Sequence, residues 1–270
     1  MPNHIDKKNN LEILISTTKK SNLDFVKKIF SHNMGINIPV LIVNQSDQLI
    51  KSSINNINII NSSDRGISKS RNLAIEKSSK KFCLLADDDI IYNKGFYDLI
   101  LNEFEQNIDA DIITFQMEND YGEPFKNYKK IKYHNKRSIS DVNSVVIAFK
   151  RSSILNNNIQ FDSLFGLGSI FETGEEYIFL RDCLDKKLNI ISCSKSILKH
   201  RSISSGQKAY IDKNIFARSA IFYRFYGFIS YLKLIHHIYL LKKKKLISFN
   251  QIISKFCVGI NGIKRYKSIR

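Results

Sequence analysis

The sequence predicts an α/β fold in which a mostly parallel sheet is flanked by helices. Short, continuous apolar runs alternate with longer amphipathic segments over most of the chain, and polar clusters follow several of these runs. Hydrophobic residues make up 43% of the 270 residues. Continuous apolar strands are typical of parallel sheets covered on both faces, and such sheets bind ligands beyond the carboxyl ends of their strands. We therefore expect a functional site where the polar clusters lie.

The elements follow from the hydrophobic pattern in chain order. Residues 11–15 are an apolar run before a Ser-Thr-Thr cluster and predict the first strand, and residues 22–30, apolar on one helical face, predict the first helix. Residues 40–43 are a second apolar run that ends in the polar segment 44–47. Residues 121–143 are polar and lysine-rich and are predicted as a loop. Further strands are predicted at 57–60, 81–86, 112–115, 145–149 and 190–197, and further helices at 68–78, 96–104 and 169–184.

The cysteine pattern indicates a reducing environment. Cys83, Cys183, Cys193 and Cys257 form no Cys-x-x-Cys pair and have no regular spacing. Neither a zinc site nor a disulfide framework is indicated, and a cytoplasmic setting is expected. The N-terminus lacks the sustained apolar stretch and the small-residue cleavage site of a secretory signal. We therefore expect a protein that is not exported.

The positive charge is concentrated in the C-terminal part. Residues 199–270 contain 16 Lys and Arg side chains and one acid, a balance of +15 out of +17 for the whole chain. We predict a near-neutral domain at 1–205 and a basic, aromatic-rich helical region at 206–270, whose apolar runs are shorter than the roughly 18 to 20 residues of a spanning helix. Basic and aromatic residues together predict an interfacial helix on an anionic inner leaflet. Helices packed on the preceding domain, with a solvated lysine face, are the alternative.

Three consecutive aspartates, Asp87, Asp88 and Asp89, follow the strand predicted at 81–86. Carboxylates in a partly desolvated site repel each other by about 4 kcal/mol per pair at a separation of about 4 Å. Mn²⁺ or Mg²⁺, held by one or two carboxylates together with water and phosphate oxygens, would compensate this repulsion. An exposed acidic turn or a helix cap is the alternative interpretation.

The segment 65–72, Arg-Gly-Ile-Ser-Lys-Ser-Arg-Asn, carries positive charge at a predicted helix start. With Ser68 as the predicted N-cap, Lys69 and Arg71 lie in the first turn, where the helix dipole disfavours cations. A bound phosphate would resolve this conflict through free backbone N–H groups, Arg71 and Arg65. A solvated basic face is the alternative.

Two further signals come later in the chain. A glycine loop at 166–168 leads to Glu175 and Glu176 at the start of a helical run, where a carboxylate can act as general base for a hydroxyl group. The alternative is that the two glutamates only stabilise the start of the helix, where negative charge interacts favourably with the helix dipole. His200 follows the strand predicted at 190–197 and is a candidate metal ligand or a structural histidine.

Several common catalytic motifs are missing from the sequence. There is no G-x-x-x-x-G-K-[ST] loop, no complete dinucleotide-binding glycine fingerprint, and no G-x-S-x-G or H-E-x-x-H sequence. P-loop NTPases, dinucleotide-dependent enzymes and the corresponding hydrolases therefore lose support.

Taken in chain order, these features resemble a family 2 glycosyltransferase over about residues 11–205. The most specific parts are the Gly-x-Ser-x-Ser-Arg-Asn stretch at 66–72 and the aspartate cluster that follows it. The resemblance implies the GT-A fold, in which a Rossmann-like nucleotide-binding sheet merges with an acceptor half. It also implies transfer of a sugar from a nucleoside diphosphate donor, mostly with inversion.

The resemblance assigns roles to individual residues. Asp89, with either Asp87 or Asp88, resembles the D-x-D element that contacts the metal and the donor. Glu176, with Glu175 as the second choice, resembles the catalytic base of a Gly-Glu-Asp element. The second strand end lacks the acidic residue that many family members carry there. The implied donor-binding residues are Thr17, Asn44, Gln45, Arg65, Ser68, Arg71, Asp87 and Asp88, and the implied metal ligands are Asp87, Asp89 and His200.

The residues and the resemblance together predict an inverting, metal-dependent glycosyltransferase with Mn²⁺ or Mg²⁺ as cofactor. Its expected acceptor is a glycan or a polyprenyl-linked molecule of surface-polysaccharide biosynthesis, and its expected location is peripheral, at the inner face of the cell membrane. Two other functions stay open. A nucleic-acid-associated, metal-dependent protein would explain the basic C-terminal part, and a catalytically silent scaffold would share the fold without the chemistry.

Overall fold

The structure is a computed structural model that describes residues 9–33, 37–200 and 209–270. Within these ranges eight strands form one sheet. They are β1 (Leu11–Thr17), β2 (Val40–Asn44), β3 (Ile57–Asn61), β4 (Phe82–Asp87), β5 (Ile91–Tyr92), β6 (Ile112–Glu118), β7 (Ile147–Lys150) and β8 (Ile190–Lys199). Their order in the sheet is β3-β2-β1-β4-β7-β6-β8-β5.

The sheet is parallel in its N-terminal half and mixed in the other half. Strands β3, β2, β1 and β4 are parallel neighbours, as are β6 and β8. Strand β7 runs antiparallel to both β4 and β6, and β5 runs antiparallel to β8. The connection from β6 to β7 contains no crossover helix, and this allows β7 to return antiparallel. The predicted α/β architecture with a mostly parallel sheet is confirmed.

Eight α-helices accompany the sheet in the described ranges, three of them in the C-terminal region. They are α1 (Asp24–Ile29), α2 (Ile67–Lys77), α3 (Phe96–Gln106), α4 (Arg151–Asn156), α5 (Glu175–Asp185), α6 (Asp212–Tyr226), α7 (Ser230–Lys243) and α8 (Ile252–Ile269). No helix in these ranges is both long and apolar enough to cross a membrane.

Two hydrophobic clusters cover the two faces of the sheet. In β1, Leu11, Ile13 and Ile15 belong to the cluster that includes α1 and α3, whereas Leu14 belongs to the cluster that includes α2 and α5. Successive side chains of a strand point to opposite faces, and all seven residues of β1 are buried. Burial on both faces explains why the strand is mostly apolar from residue 11 to residue 15, and its one buried acid, Glu12, accepts a hydrogen bond from the Ser79 N–H at 2.7 Å.

The C-terminal helices pack on the sheet domain. A third hydrophobic cluster joins Phe165, Phe171 and Ile178 to Ala217 and Ile221 of α6. A fourth cluster holds α6, α7 and α8 together. The predicted helical character of this region is confirmed, whereas its predicted start at residue 206 lies outside the described residues.

Two predicted elements begin later in the structure than expected. The helix predicted at 169–184 begins only at Glu175, because Gly174 has a left-handed backbone with φ of 88°. A Cβ atom on Gly174 would also lie 2.4 Å from Ile221 Cδ1 of α6, so a larger residue here would have to displace the end of that side chain. The strand predicted at 145–149 begins at Ile147, because residues 144–146 form a 3₁₀ turn.

Candidate functional site

A cavity of about 480 Å³ opens at the carboxyl ends of β1, β2 and β4. The pairing of Thr17 with Asn44 and of Ser16 with Asp87 aligns these strand ends at one edge of the sheet. The loop before α2 and the start of α5 complete the walls. The predicted site residues that line this cavity are Thr17, Gln45, Arg65, Arg71, Asp87, Asp88, Asp89, Glu175, Glu176 and His200.

Arg71 lies buried at the centre of the site, where its side chain is only 3% exposed. The guanidinium donates to Glu175 Oε1 at 2.9 Å, to Asp87 Oδ1 at 3.1 Å and to Ser144 Oγ at 2.8 Å. Burial lowers the pKa of Arg71, but Asp87 and the two glutamates of α5 more than offset this effect, so that the pKa is raised. Arg71 therefore stays charged and joins the end of β4 to the start of α5.

Carboxylates satisfy the positive charges at the start of α2. Lys69 Nζ lies 3.5 Å from Asp64 Oδ1, and Arg71 pairs with Asp87 and Glu175. These ion pairs offset the unfavourable interaction with the helix dipole without the bound phosphate that the sequence predicts. Arg71 also lines the cavity, and its contact with a donor phosphate stays a prediction.

Neighbouring side chains hold Asp87 and Asp88 in different directions. Burial raises the pKa of Asp87, although the Arg71 cation opposes this shift. The Thr17 hydroxyl donates to Asp88 Oδ2, and Lys20 Nζ lies 3.7 Å from the same oxygen. Asp87 is thus tied to α2 and α5, whereas Asp88 is tied to the end of β1.

Asp89 and His200 form a pair of candidate metal ligands. The Asp89 side chain is 63% exposed, and its Oδ1 lies 3.9 Å from His200 Nε2. A carboxylate oxygen and an imidazole nitrogen are suitable ligands for Mn²⁺, or for Mg²⁺, that takes further ligands from water and phosphate. The described ranges contain no group of three or more acidic, histidine or cysteine side chains that could hold a metal ion. Asp89 and His200 do not complete a coordination shell by themselves, so a cation here would need further oxygen ligands from water or a phosphate.

At the end of β2, Gln45 lines the cavity but Asn44 does not. Asn44 is fully buried, and its amide donates to Asn61 Oδ1 and to the Gln48 carbonyl, both at 2.8 Å. Gln45 donates to the Gly66 carbonyl at 3.2 Å. In contrast to the expected donor contact, Asn44 connects β2 to β3 and to the turn that follows, because its polar groups are used within the protein.

Ser68 also differs from its expected position. The N-cap of α2 is Gly66, and Ser68 is buried inside the first turn, where its hydroxyl donates to the Phe165 carbonyl at 2.6 Å. A Cβ atom on Gly166 would lie 2.4 Å from Ile67 Cγ2, so the two glycine-containing loops pack closely together. Ser68 therefore connects these loops, and it does not line the cavity.

Arg65 and Asp47 form an ion pair at the rim of the cavity. Arg65 Nη1 also donates to the Ser63 carbonyl at 3.0 Å. The pair links the loops that follow β2 and β3. Asp47 thus supplies a carboxylate three residues beyond the strand end, and this carboxylate is already paired with a cation.

The two glutamates at the start of α5 have different environments. Glu175 is buried and accepts the hydrogen bond from Arg71. Glu176 faces the cavity, and burial together with the charge of Glu175 raises its pKa to about 8, although Arg71 opposes this shift. A carboxyl group with a pKa near the working pH is suited to accept a proton from a hydroxyl group.

Three polar residues of the site were not predicted from the sequence. Ser144 accepts a hydrogen bond from Arg71, Asn143 lines the cavity, and Lys126 Nζ donates to Asn143 Oδ1 at 2.6 Å. Burial lowers the pKa of Lys126, and the charges of Asp141 and Glu176 oppose this shift. These residues come from or adjoin the polar connection between β6 and β7, which has no hydrophobic periodicity that could have placed them.

The sheet topology and the carboxylates at its strand ends define the GT-A class of glycosyltransferases. Residues 40–171 match the family model described as Glycosyl transferase family 2. This match covers just under half of the chain and supports the resemblance found in the sequence, and the chain is a glycosyltransferase.

Solved structures share this fold. The chain is similar to S. aureus TarS 1-349, with 12% identity and a TM-score of 0.57 over 92% of this chain and 70% of that chain. TarS 1-349 in complex with UDP-GlcNAc matches with 13% identity and a TM-score of 0.57 over 96% and 83% of the two chains. Another S. aureus TarS structure matches with 12% identity and a TM-score of 0.56 over 79% and 40%. None of the curated proteins matches this chain.

Proposed function

We propose that this chain is an inverting, metal-dependent glycosyltransferase that moves a sugar from a nucleoside diphosphate donor to a hydroxyl group of a glycan or lipid-linked acceptor. The position of Glu176 carries this proposal. Glu176 lines the cavity at the strand ends and also a second cavity of about 440 Å³. A transferase must bring two substrates together at one base, and two cavities that share a carboxylate support such a reaction.

The cavity at the strand ends is the proposed donor site. Thr17 and Gln45 line its nucleotide side, and Asp88, which accepts the Thr17 hydroxyl, is the candidate contact for the donor ribose or diphosphate. S. aureus TarS 1-349 has been solved in complex with UDP and with UDP-GlcNAc. The shared fold supports a nucleotide-sugar donor for this chain as well.

Asp89 and His200 are the proposed metal ligands. The bound cation would supply positive charge beside the donor diphosphate and so stabilise its departure. Asp87 is the less suitable third ligand, because Arg71 already binds its carboxylate. We therefore pair Asp89 with His200 at the metal and assign Asp88 to the donor.

Glu176 is the proposed general base. Its carboxylate takes the proton from the acceptor hydroxyl while the acceptor oxygen forms a bond to the anomeric carbon. The bond between that carbon and the donor phosphate oxygen breaks, and its electron pair leaves with the nucleoside diphosphate. Attack from the face opposite to the leaving group inverts the anomeric configuration. Arg71 holds Glu175 away from this role through their hydrogen bond.

The surface of α7 supports a membrane-associated enzyme. Leu232, Ile235 and Tyr239 are 67%, 53% and 57% exposed, and their spacing places them on one side of the helix. Four consecutive lysines, residues 242–245, follow them. An apolar helix surface beside basic residues suits the interface of an anionic leaflet. We therefore propose a peripheral location at the inner membrane face, where a polyprenyl-linked acceptor of surface-polysaccharide biosynthesis would be available.

Calorimetric titration with a panel of nucleoside diphosphates tests the donor site. Each titration is made with Mn²⁺, with Mg²⁺ and with a chelator, on the wild type and on Asp89→Ala. Asp24→Ala is the matched control, because Asp24 is an exposed acid on α1. We expect metal-dependent binding of one nucleotide that Asp89→Ala weakens at least tenfold and Asp24→Ala leaves unchanged. Absence of binding under every condition would contradict the donor assignment and favour the silent scaffold.

A further inference from the structure

The second cavity, which shares Glu176 with the donor cavity, has a strongly basic wall. Only two carboxylates, those of Asp141 and Glu176, are among its lining residues in the described part of the chain. The polar connection between β6 and β7 supplies three cations, and α6 and α7 supply two. These cations are Lys126, Lys136, Arg137, Arg218 and Lys233.

The cations of this wall differ in how they are satisfied. Lys136 Nζ lies 2.7 Å from Asp185 Oδ1, and Lys126 donates to the Asn143 side chain. Arg218 is held by no ion pair or hydrogen bond with the residues that the structure describes. Arg218 is an exposed residue, although partial desolvation by the surrounding protein lowers the pKa of its guanidinium. A cation in the cavity wall that has no acidic partner among the described residues keeps its capacity to bind an anionic ligand.

Aromatic side chains also lie in this wall, among the cations. Tyr177, Phe222 and Tyr226 line the same cavity, and Lys233 Nζ lies 3.9 Å from the centroid of the Tyr226 ring. Ligand cavities commonly combine aromatic walls with a few polar groups that fix the orientation of the ligand. Here the aromatic rings can contact apolar parts of the ligand, while the ammonium and guanidinium groups can bind phosphate oxygens.

We infer that this second cavity binds a phosphate-bearing acceptor, with its phosphate groups against Arg218 and the neighbouring lysines and one sugar hydroxyl at Glu176. The inference rests on the proposed function and adds the chemical class of the acceptor. A neutral glycan would leave the excess positive charge of this wall without an anionic partner. Phosphate of this kind has two sources, the diphosphate of a lipid-linked glycan and the phosphodiester backbone of a polymer.

A fluorescence titration tests the inference without requiring catalysis. The chain contains no tryptophan, so Phe222→Trp places a single tryptophan reporter in the cavity wall. Tripolyphosphate is the probe, added in the presence of a chelator so that no divalent metal contributes. We expect a saturable change in emission, and we expect Arg218→Gln or Lys233→Gln in this background to weaken binding at least tenfold.

Lys28→Gln is the matched control, because it removes one charge from exposed α1 and should leave the titration unchanged. The inference is overturned by an unchanged emission, or by Arg218→Gln and Lys233→Gln variants that bind as tightly as the control. Thermal melting verifies that each variant is folded, and Phe125→Trp provides a second reporter in the same wall. If the proposed function were wrong, the result would differ: tripolyphosphate would still bind in the second cavity, but no nucleotide would bind at the strand ends.

Two further ligands distinguish the sources of phosphate in the same reporter variant. Geranyl diphosphate represents the head of a lipid-linked acceptor, and glycerophosphoglycerol represents a phosphodiester polymer. Tenfold tighter binding of geranyl diphosphate would identify a lipid-linked acceptor, and the reverse order would identify a polymer. If neither ligand displaces tripolyphosphate, the acceptor assignment is contradicted.

Discussion

The two cavities that meet at Glu176 are built in opposite ways. In the donor cavity the charges are paired within the protein, since Arg71 binds Asp87 and Glu175. In the second cavity cations outnumber acids, and Arg218 has no ion pair with any described residue. Paired charges fix the geometry of the donor site before a ligand arrives, whereas an unpaired cation retains its capacity to bind an anion. If the proposed donor site is correct, this difference concentrates preorganisation on the side from which the nucleoside diphosphate leaves.

The variant Glu176→Gln tests the residue that joins the two cavities and should have the largest effect. We expect sugar transfer to fall by about 100 to 10,000-fold, because the amide cannot accept the acceptor proton. Binding of the donor nucleotide should stay within about twofold of the wild type. Rates measured with saturating donor, together with calorimetric binding of the nucleotide, separate these effects.

Glu76→Gln is the control for this variant, because Glu76 is an exposed acid of α2 that lines neither cavity. It should transfer sugar at the wild-type rate. Wild-type activity in Glu176→Gln would remove Glu176 from the base role, and loss of nucleotide binding would show that it acts in the donor site instead.

A pair of arginine variants tests the contrast between paired and unpaired charge. Arg71→Gln leaves Asp87 and Glu175 without their cation, and we expect it to lower the free energy of unfolding by about 3–5 kcal/mol. Arg218→Gln removes a cation that has no acidic partner, and stability should stay the same or increase. Urea unfolding curves of both variants and the wild type give the comparison.

The slope of each unfolding curve must match the wild type, so that a change in midpoint reports stability alone. Arg71→Lys is a further control, since lysine keeps the positive charge but cannot reproduce the hydrogen bonds that the two guanidinium nitrogens make. An equal loss of stability in Arg71→Gln and Arg218→Gln would contradict the proposed difference between the two cavities.

Sequence patterns predicted the donor side of the molecule better than the other side. Strands β1, β2 and β4 are continuous apolar runs, and each ends in a polar cluster, so their common edge could be predicted. The roles of Asn44 and Ser68 could not be predicted from the sequence. Both side chains are used in hydrogen bonds within the protein, and no local pattern distinguishes a polar group that faces a ligand from one that connects two loops.

The second cavity could not be predicted from the sequence. It combines Lys126 from a connection without periodicity with Arg218 and Lys233 from helices far along the chain. The basic C-terminal region was predicted as a helical surface, and no sequence pattern indicated that α6 contributes to a cavity beside Glu176. Packing of Ile221 against Gly174 brings α6 to this position, and such a contact depends on the tertiary fold.

The pH dependence of transfer tests the raised pKa of Glu176. Only the deprotonated carboxylate can act as base, so the rate should rise by about tenfold per pH unit below a pKa of about 8 and level off above it. Folding stability should change in the opposite direction. The unfolded carboxyl group releases its proton near pH 4.5, so stability should fall as the pH rises from there towards about 8.

Transfer rates and melting temperatures are measured between about pH 5.5 and 9. This range extends about 2.5 units below the pKa of Glu176. Glu176→Gln is the control for stability, because it cannot ionise and should melt at a higher temperature than the wild type at the alkaline end. A transfer rate that is independent of pH below 8 would contradict Glu176 as the base with this pKa.

Membrane binding through α7 is expected to show the smallest effect, because it concerns the delivery of the acceptor and leaves both cavities intact. The double variant Leu232→Ser and Ile235→Ser should weaken binding to phosphatidylglycerol vesicles about 30-fold, since partial burial of each side chain contributes about 1 kcal/mol. Ile108→Ser removes another exposed apolar side chain, outside α7, and should bind like the wild type.

Sedimentation with vesicles of phosphatidylglycerol or phosphatidylcholine separates the two contributions to this binding. Basic residues 242–245 should make binding depend on the anionic lipid, and added salt should weaken it. Equal binding of the double variant and the wild type would exclude α7 as the membrane surface. Because Lys233 of the same helix lines the second cavity, loss of vesicle binding together with unchanged tripolyphosphate binding would show that α7 serves the membrane and the acceptor with different faces.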